Sequence, residues 1–229
     1  METLFNGYTL EIAPGAFPLS TDSMALAHFV RLPRQAKVLD LGSGCGTLGM
    51  LLCAKDGGCK VTGIELDHTA HETALKNSRD NDLQMRLDSV CGDLTAIATY
   101  ITPGSFDICV SNPPYFTAGF LSKTTPLARH EETCSLESLM KSAAYALKFG
   151  GDFFLVHKPE RLAEIFAAGC ACKLEPKRLC LMRHKENGPV SLVLVQCRKG
   201  AKPGLTWEEA ALHDKNGEYT QYYRDIYHI

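Results

Sequence analysis

Short apolar runs alternate with stretches of helical periodicity along most of the chain, which predicts a repeating strand–helix order. Apolar runs predict five strands, at 37–41, 60–66, 85–90, 106–111 and 153–157. Apolar residues at helical spacing predict helices over 48–55, 67–81, 135–148 and 159–169. Because apolar strands joined by helices need cover on both faces, we expect a mostly parallel sheet between two layers of helices.

The last two apolar runs, 178–183 and 190–197, are too close together for a crossover helix. They predict an antiparallel hairpin with Asn187 and Gly188 in its turn. The pattern therefore predicts a seven-stranded, Rossmann-like α/β sheet, in which Gly150 and Gly151 end the helix over 135–148. We expect three parts: an N-terminal cap or lid segment (1–36), the main domain (37–200) and a C-terminal tail packed on it (201–229).

The composition is that of a globular protein, with 45% hydrophobic and 22% charged residues among 229. No secretory signal or membrane-length apolar run is present, and the ten cysteines form no Cys-x-x-Cys pair. We therefore expect a cytoplasmic protein with reduced thiols and no metal site. The net charge of −2 excludes a globally basic nucleic-acid binder, yet 148–202 holds eleven basic and five acidic residues. This stretch predicts a basic face that meets phosphates.

A glycine-rich turn at 40–46 follows the first strand of the predicted sheet and opens a helix. Gly42, Gly44 and Gly46 let the backbone approach a ligand closely at the carboxyl end of the sheet. The segment 44–49 matches a dinucleotide fingerprint, which favours NAD. Asp40 argues against NAD, because its carboxylate repels a pyrophosphate and suits a cationic ligand. S-adenosylmethionine, which carries an ammonium and a sulfonium, is the better prediction.

Two further carboxylates follow the next two strands of the predicted sheet. Glu65 ends the second strand and is expected to accept hydrogen bonds from both ribose hydroxyls of the cofactor. Asp93 follows the third strand and is expected to accept one from the adenine amine. The neighbouring Leu66 and Leu94 are included in the predicted cofactor site. With Asp40, these carboxylates indicate one ligand that spans three strand ends.

The most informative motif is Asn-Pro-Pro-Tyr, which follows the fourth strand. Pro113 and Pro114 fix a rigid bend that aims the Asn112 side chain into the cofactor crevice. The Asn112 oxygen and the Pro113 carbonyl are expected to accept both hydrogens of a planar amine, which frees its lone pair to attack a sulfonium methyl. Tyr115 and Phe116 are expected to contact a planar substrate, with Tyr115 stacking on it. Asn112 is also expected to border the cofactor.

Together, the acidic glycine-rich turn, the acidic second-strand end and Asn-Pro-Pro-Tyr resemble the class I S-adenosylmethionine-dependent amino-methyltransferases. Within that class, four further segments resemble the bacterial tRNA(Val) adenine-37 N6-methyltransferase family, at 19–26, 128–131, 199–205 and 216–220. The resemblance runs from about residue 17 to the end. The sequence departs from the family at Ser23 and Met24, where a glycine and small apolar residues are usual.

This resemblance implies a specific set of roles. The turn at 112–115 would hold a flipped-out adenine, and Thr21 with Asp22 would lie near the methionine end of the cofactor or the catalytic pocket. Arg129 and His130 would support the substrate loop or contact RNA. The expected substrate is RNA, most specifically tRNA.

Other interpretations remain open at this stage. Release-factor glutamine methyltransferases, guanine methyltransferases of ribosomal RNA and DNA adenine methyltransferases use a similar turn. The first group has a larger amino-terminal domain than the 36 residues that precede the first strand of the predicted sheet, and the DNA enzymes usually carry an added recognition domain. A second class is a nicotinamide-dependent oxidoreductase or a non-catalytic nucleotide-binding module. Asp40 argues against the oxidoreductase, and the intact 112–115 turn argues against the binding module.

Overall fold

The computed structural model describes residues 1–114 and 135–229. Within these ranges the strands are β1 (Glu2–Thr3), β2 (Thr9–Leu10), β3 (Lys37–Leu41), β4 (Lys60–Glu65), β5 (Leu87–Cys91), β6 (Phe106–Ser111), β7 (Leu147–His157), β8 (Leu174–Lys185), β9 (Val190–Lys199) and β10 (Thr206–His213). The helices are α1 (Thr21–Phe29), α2 (Thr47–Lys55), α3 (His68–Asp80), α4 (Leu136–Ala146), α5 (Leu162–Ala171) and α6 (Gln221–Tyr227). Short 3-10 turns lie at Leu94–Thr99 and Pro159–Arg161.

One large sheet organises the described chain, in the strand order β10-β8-β9-β7-β6-β3-β4-β5. Strand β9 runs antiparallel to both of its neighbours, β7 and β8, and the remaining pairs in this sheet are parallel. Strands β1 and β2 form a separate small hairpin. The predicted Rossmann-like α/β class is confirmed, with a mostly parallel sheet and a C-terminal antiparallel hairpin over β8 and β9.

The sheet differs from the prediction in having an eighth strand among the described residues. Residues Thr206–His213 of the predicted tail pair in parallel with β8 along its outer edge. The predicted end of the fourth helix at Gly150 and Gly151 is also wrong. Helix α4 ends at Ala146, and Gly150 takes φ +81° inside β7, where the β6–β7 register shifts. The backbone is already extended from Leu147 onward, so Gly150 and Gly151 lie within β7 and do not cap the helix.

The core lies on both faces of the sheet, as apolar strands between helices require. One cluster joins side chains of α1 and α2 to the sheet and includes Ile226 of α6, which is 1% exposed. The other joins α4 and α5 to the opposite face. Within residues 1–114 and 135–229, no helix is long and apolar enough to cross a membrane. The nine cysteines in these ranges are free thiols.

Candidate active site

A cavity of about 890 Å³ opens at the edge of the sheet where the parallel strands end. Its walls come from the chain that follows β3, β4, β5, β6 and β7, which converges at this edge because crossover helices return each strand in the same direction. Residues 13–18, which precede α1, line one side. The volume is within the range of small-molecule sites, about 300–1,000 Å³.

The glycine-rich turn forms the floor of this cavity after β3. Gly42 and Gly44 have φ of +75° and +54°, and a Cβ on either would meet no atom within 4 Å. Their conformation therefore leaves backbone exposed beside open space, as a cofactor cradle requires. Gly46 differs, because it caps α2 at φ +81° and its Cβ position lies 3.3 Å from Ala74 Cβ on α3. The structure assigns Gly46 to helix packing and does not place it in the cavity wall.

Asp40 presents a buried carboxylate to this cavity. The residue is 2% exposed, and its Oδ2 has no hydrogen-bond partner among the described residues. Burial, followed by the negative charge of Glu65, raises the pKa of Asp40 to about 7. A buried oxygen without a partner is unfavourable, so this site is suited to a ligand that brings a positive charge or a hydrogen-bond donor.

The carboxylate of Glu65 connects the ends of two strands. Its Oε2 accepts from the Gly44 amide and its Oε1 from the Asp67 amide, both at 2.8 Å. These bonds fix the carboxylate in the cavity wall and leave lone pairs on both oxygens, since each carboxylate oxygen accepts more than one hydrogen bond. The ribose role of Glu65 stays a prediction, and this geometry is compatible with it.

The predicted cofactor residues that follow β4 and β5 also border the cavity. Asp93, Leu66 and Leu94 all contribute to its wall. Asp93 Oδ1 accepts from the Thr95 amide at 2.7 Å, which starts the 3-10 turn and orients the side chain. Leu94 is 9% exposed and Leu66 is 43% exposed, so the two leucines offer apolar surface at different depths.

The donor set fits S-adenosylmethionine. The wall is strongly acidic, because it contains Asp40, Glu65, Asp67 and Asp93. The Asp40 oxygen that has no partner among the described residues would be stabilised by a cationic ligand. A dinucleotide would bring a pyrophosphate to the same turn, where these carboxylates would repel it. The chemistry of the wall therefore favours the cationic cofactor over the nicotinamide alternative.

Asn112 stands at the end of β6 and borders the same cavity. Its Nδ2 donates to Ser23 Oγ of α1 at 3.1 Å, and Pro113 and Pro114 line the wall next to it. The predicted catalytic turn and the cofactor wall thus meet in one space. The other expected members of the substrate site (Tyr115, Phe116, Arg129 and His130) lie outside the described residues.

Several residues of the cavity wall are not indicated by any sequence motif. The structure does not bring Thr21 into the wall, because its Oγ1 is hydrogen-bonded to Tyr227 Oη at 2.7 Å. Ser23, one half-turn later, is the α1 residue that lines the cavity. The chain from the end of β7 into α5 adds three polar residues that the sequence did not indicate: His157, Arg161 and Glu164.

His157 is a buried histidine with a strongly lowered pKa in this wall. Burial, followed by the positive charge of Arg161, lowers the pKa of His157 to about 4, so the ring is neutral at neutral pH. Its Nδ1 accepts from the Lys158 amide at 2.8 Å, which places the ring proton on Nε2. The available sequence signal was a histidine at the last position of the strand predicted at 153–157, since strand ends converge on the site.

The basic stretch at 148–202 does not form one face. Lys148 pairs with Asp107 at the start of β6, and Lys199 donates to the Leu147 carbonyl at the start of β7. Both lie at the sheet edge opposite Asn112. Lys158 follows β7 and Lys185 ends β8, so these two lie at the cavity edge. The antiparallel β9 returns the chain across the sheet and divides the charge between the two edges.

Comparisons with known proteins identify a family and relatives for the chain. The family model described as the methyltransferase small domain matches residues 14–166. A protein of Photobacterium profundum named tRNA1(Val) (adenine(37)-N6)-methyltransferase is 27% identical over 217 residues, covering 91% of this chain and 90% of that protein. A protein of the same name from Bacteroides fragilis is 26% identical over 228 residues, covering 97% and 96%.

Solved structures show the same fold. The crystal structure of a predicted O-methyltransferase from Agrobacterium tumefaciens superposes with a TM-score of 0.76 and covers 91% of this chain and 96% of its own. Its sequence identity is 23%, so this likeness supports the fold and says nothing about the acceptor.

Proposed function

The chain belongs to the methyltransferase small domain family, and from that premise we propose that it uses S-adenosylmethionine to methylate the N6 amine of an adenine in tRNA. One observation carries the proposal: Asn112, Asp40 and Glu65 border a single cavity, so an amine at the turn lies beside the cofactor wall. The names of the full-length relatives point to adenine 37 of tRNA1(Val) as the acceptor. A tRNA substrate also indicates action in the cytoplasm.

The residues after β3, β4 and β5 would hold the cofactor. Asp40 and the turn at Gly42 and Gly44 would bind its methionine part, and Glu65 and Asp93 its ribose and adenine. S-adenosylmethionine supplies a methyl group on a positively charged sulfur. The acidic wall suits that charge.

The Asn112 turn would bind and activate the acceptor amine. An exocyclic amine shares its lone pair with the adenine ring and is a weak nucleophile. Two acceptors, Asn112 Oδ1 and the Pro113 carbonyl, would hold its hydrogens out of the ring plane, which returns the lone pair to nitrogen. The nitrogen becomes cationic on methylation and then loses a proton, so no strong base is required before attack. Stacking by Tyr115 stays a prediction.

The direct test uses two transcripts that differ at one nucleotide. Purified protein and methyl-labelled S-adenosylmethionine are incubated with unmodified tRNA(Val) or with the same tRNA carrying guanosine 37, and the digested nucleosides are identified by mass spectrometry. We expect labelled N6-methyladenosine from the first transcript and none from the second. Label in both transcripts would contradict the assigned position. Absence of label in both transcripts, with cofactor bound, would contradict the acceptor.

A variant of Asn112 tests the catalytic assignment. Asn112→Ala removes one of the two acceptors, so we expect the methyl-transfer rate to fall about 10²–10³-fold while cofactor affinity, measured by calorimetry, stays nearly unchanged. Asn187→Ala, in the exposed β8–β9 turn, is the matched control and should keep the full rate. Loss of cofactor binding in Asn112→Ala would contradict the assigned role.

A further inference from the structure

The orientation of the Asn112 carboxamide decides whether the turn at 112–115 works at all. The amide group has an acceptor oxygen on one side and a donor nitrogen on the other. An amine substrate needs the oxygen, because a donor in the same place would repel its hydrogens. A rotation of the carboxamide by half a turn would therefore abolish amine binding with no change in the backbone.

Ser23 contacts the side of this group that the substrate does not need. Its Oγ accepts from Asn112 Nδ2 at 3.1 Å, and the serine is 6% exposed within α1. The two residues are 89 positions apart, so this contact is made by the fold. A bond to the nitrogen directs the carboxamide oxygen away from Ser23.

Ser20 provides an acceptor for the Ser23 hydroxyl proton, which leaves Ser23 Oγ to accept from Asn112. Its Oγ accepts from the Ser23 amide and lies 3.3 Å from Ser23 Oγ, so it is within reach of the Ser23 hydroxyl proton. With that proton directed to Ser20, the lone pairs of Ser23 Oγ face the Asn112 amide. In this arrangement Asn112 Nδ2 donates to Ser23 Oγ, and the Ser23 hydroxyl donates to Ser20 Oγ, the N-cap of α1.

We propose that Ser23 is a positioning residue, whose hydroxyl holds the Asn112 amide nitrogen and thereby presents the carboxamide oxygen to the acceptor amine. The kinetic consequence rests on the proposed function. The orientation itself does not, because it is a property of the protein without substrate.

The first arm of the test measures orientation without RNA. In nitrogen-15 spectra, the Asn112 side-chain amide is the pair of signals lost in Asn112→Ala. Loss of the hydrogen bond in Ser23→Ala should speed exchange of this pair with water about fivefold. Ser78→Ala is the matched control, because Ser78 is also a buried helical serine, bonded to the Leu87 carbonyl. Unchanged exchange in Ser23→Ala would overturn the proposal.

The second arm measures single-turnover methyl transfer to unmodified tRNA(Val). We expect Ser23→Ala to slow the step by about tenfold with cofactor affinity within about twofold. In an Asn112→Ala background the same substitution should have no further effect, since Ser23 acts through Asn112. An equal loss in both backgrounds would overturn the proposal, as would a parallel loss of cofactor affinity. If the unsubstituted protein transfers no methyl group, the proposed function fails and the exchange arm still decides the orientation.

Discussion

At Asp40, folding stability and cofactor binding favour different protonation states: the folded protein is more stable with the carboxyl protonated, and a cationic cofactor favours the carboxylate. Its pKa of about 7 exceeds the ordinary value of 3.8, because the carboxylate is buried beside Glu65. The folded protein thus binds this proton more tightly than the unfolded chain does. The resulting contribution to stability is complete below the ordinary pKa and is lost as the pH rises through 7.

This linkage predicts how cofactor affinity depends on pH. A cationic ligand favours the ionised carboxylate, so binding of S-adenosylmethionine must release the Asp40 proton below pH 7. We expect the dissociation constant to decrease by up to about tenfold between about pH 6 and about pH 7.5. Calorimetry in buffers of different ionisation enthalpy measures both the constant and the released proton.

Two variants separate Asp40 from the other carboxylates. Asp40→Asn should weaken binding and remove most of its pH dependence, while raising the melting temperature of the ligand-free protein above pH 7. Asp88→Asn changes an exposed carboxylate of β5 and should retain the pH dependence. A pH profile that persists in Asp40→Asn would show that another group titrates.

For individual residues, a sequence motif indicates which side chains belong to the site. It does not indicate side chains that are distant in sequence and are brought to the site by the fold. Asp40 and Glu65 lie at the carboxyl ends of β3 and β4, where the sequence predicts a shared site, and both line the cavity. Ser23 is close to Asn112 in space but 89 residues away in sequence, so no local pattern indicates it. Gly46 matches the glycine motif, yet its Cβ position faces Ala74 of α3, a contact that spacing cannot show.

Among the elements, α1 and α6 are joined by a hydroxyl pair that connects the two ends of the chain. Tyr227 Oη lies 2.7 Å from Thr21 Oγ1, in the first turn of α1 and one half-turn from Ser23. The helix that carries Ser23 is therefore braced by the last helix of the chain.

Tyr227→Phe tests this brace by removing one oxygen and leaving the ring. We expect the free energy of unfolding to fall by about 0.5–1.5 kcal/mol, the net contribution of one hydrogen bond, with cofactor affinity unchanged. Tyr100→Phe is the control, since Tyr100 is 41% exposed and should give no measurable change. Urea unfolding provides both values, and equal stability of the two variants would contradict the role of the pair.

Periodicity predicts the elements of the central sheet but not its outer edge. Strands β3, β4 and β6 are mostly buried runs between helices, so their sequence carries a strong signal. Strand β10 has an exposed outer edge, and four of its eight residues, including Trp207, Glu208 and Glu209, are exposed. An edge strand needs little apolar surface, which is why its sequence is similar to that of a polar tail.

For the whole molecule, the last 29 residues are part of the same folded unit as the cofactor site. Strand β10 extends the large sheet, and Leu212 and Ile226 enter the cluster that α1 and α2 share, with exposures of 6% and 1%. A tail that joins the core in this way should unfold with it in one cooperative transition.

Truncation of one buried side chain distinguishes an integral segment from a detachable one. Ile226→Ala removes a core side chain, so we expect the free energy of unfolding to fall by about 2–5 kcal/mol in a single transition followed by both fluorescence and circular dichroism. Ile229→Ala, three residues later and 74% exposed, should change it by less than about 0.5 kcal/mol. If Ile226→Ala instead produces two transitions, or matches Ile229→Ala, the C-terminal segment folds apart from the sheet. Because Ile226 and Tyr227 lie in the same helix, a cooperative result would also show that the helix bonded to α1 beside Ser23 unfolds together with the sheet.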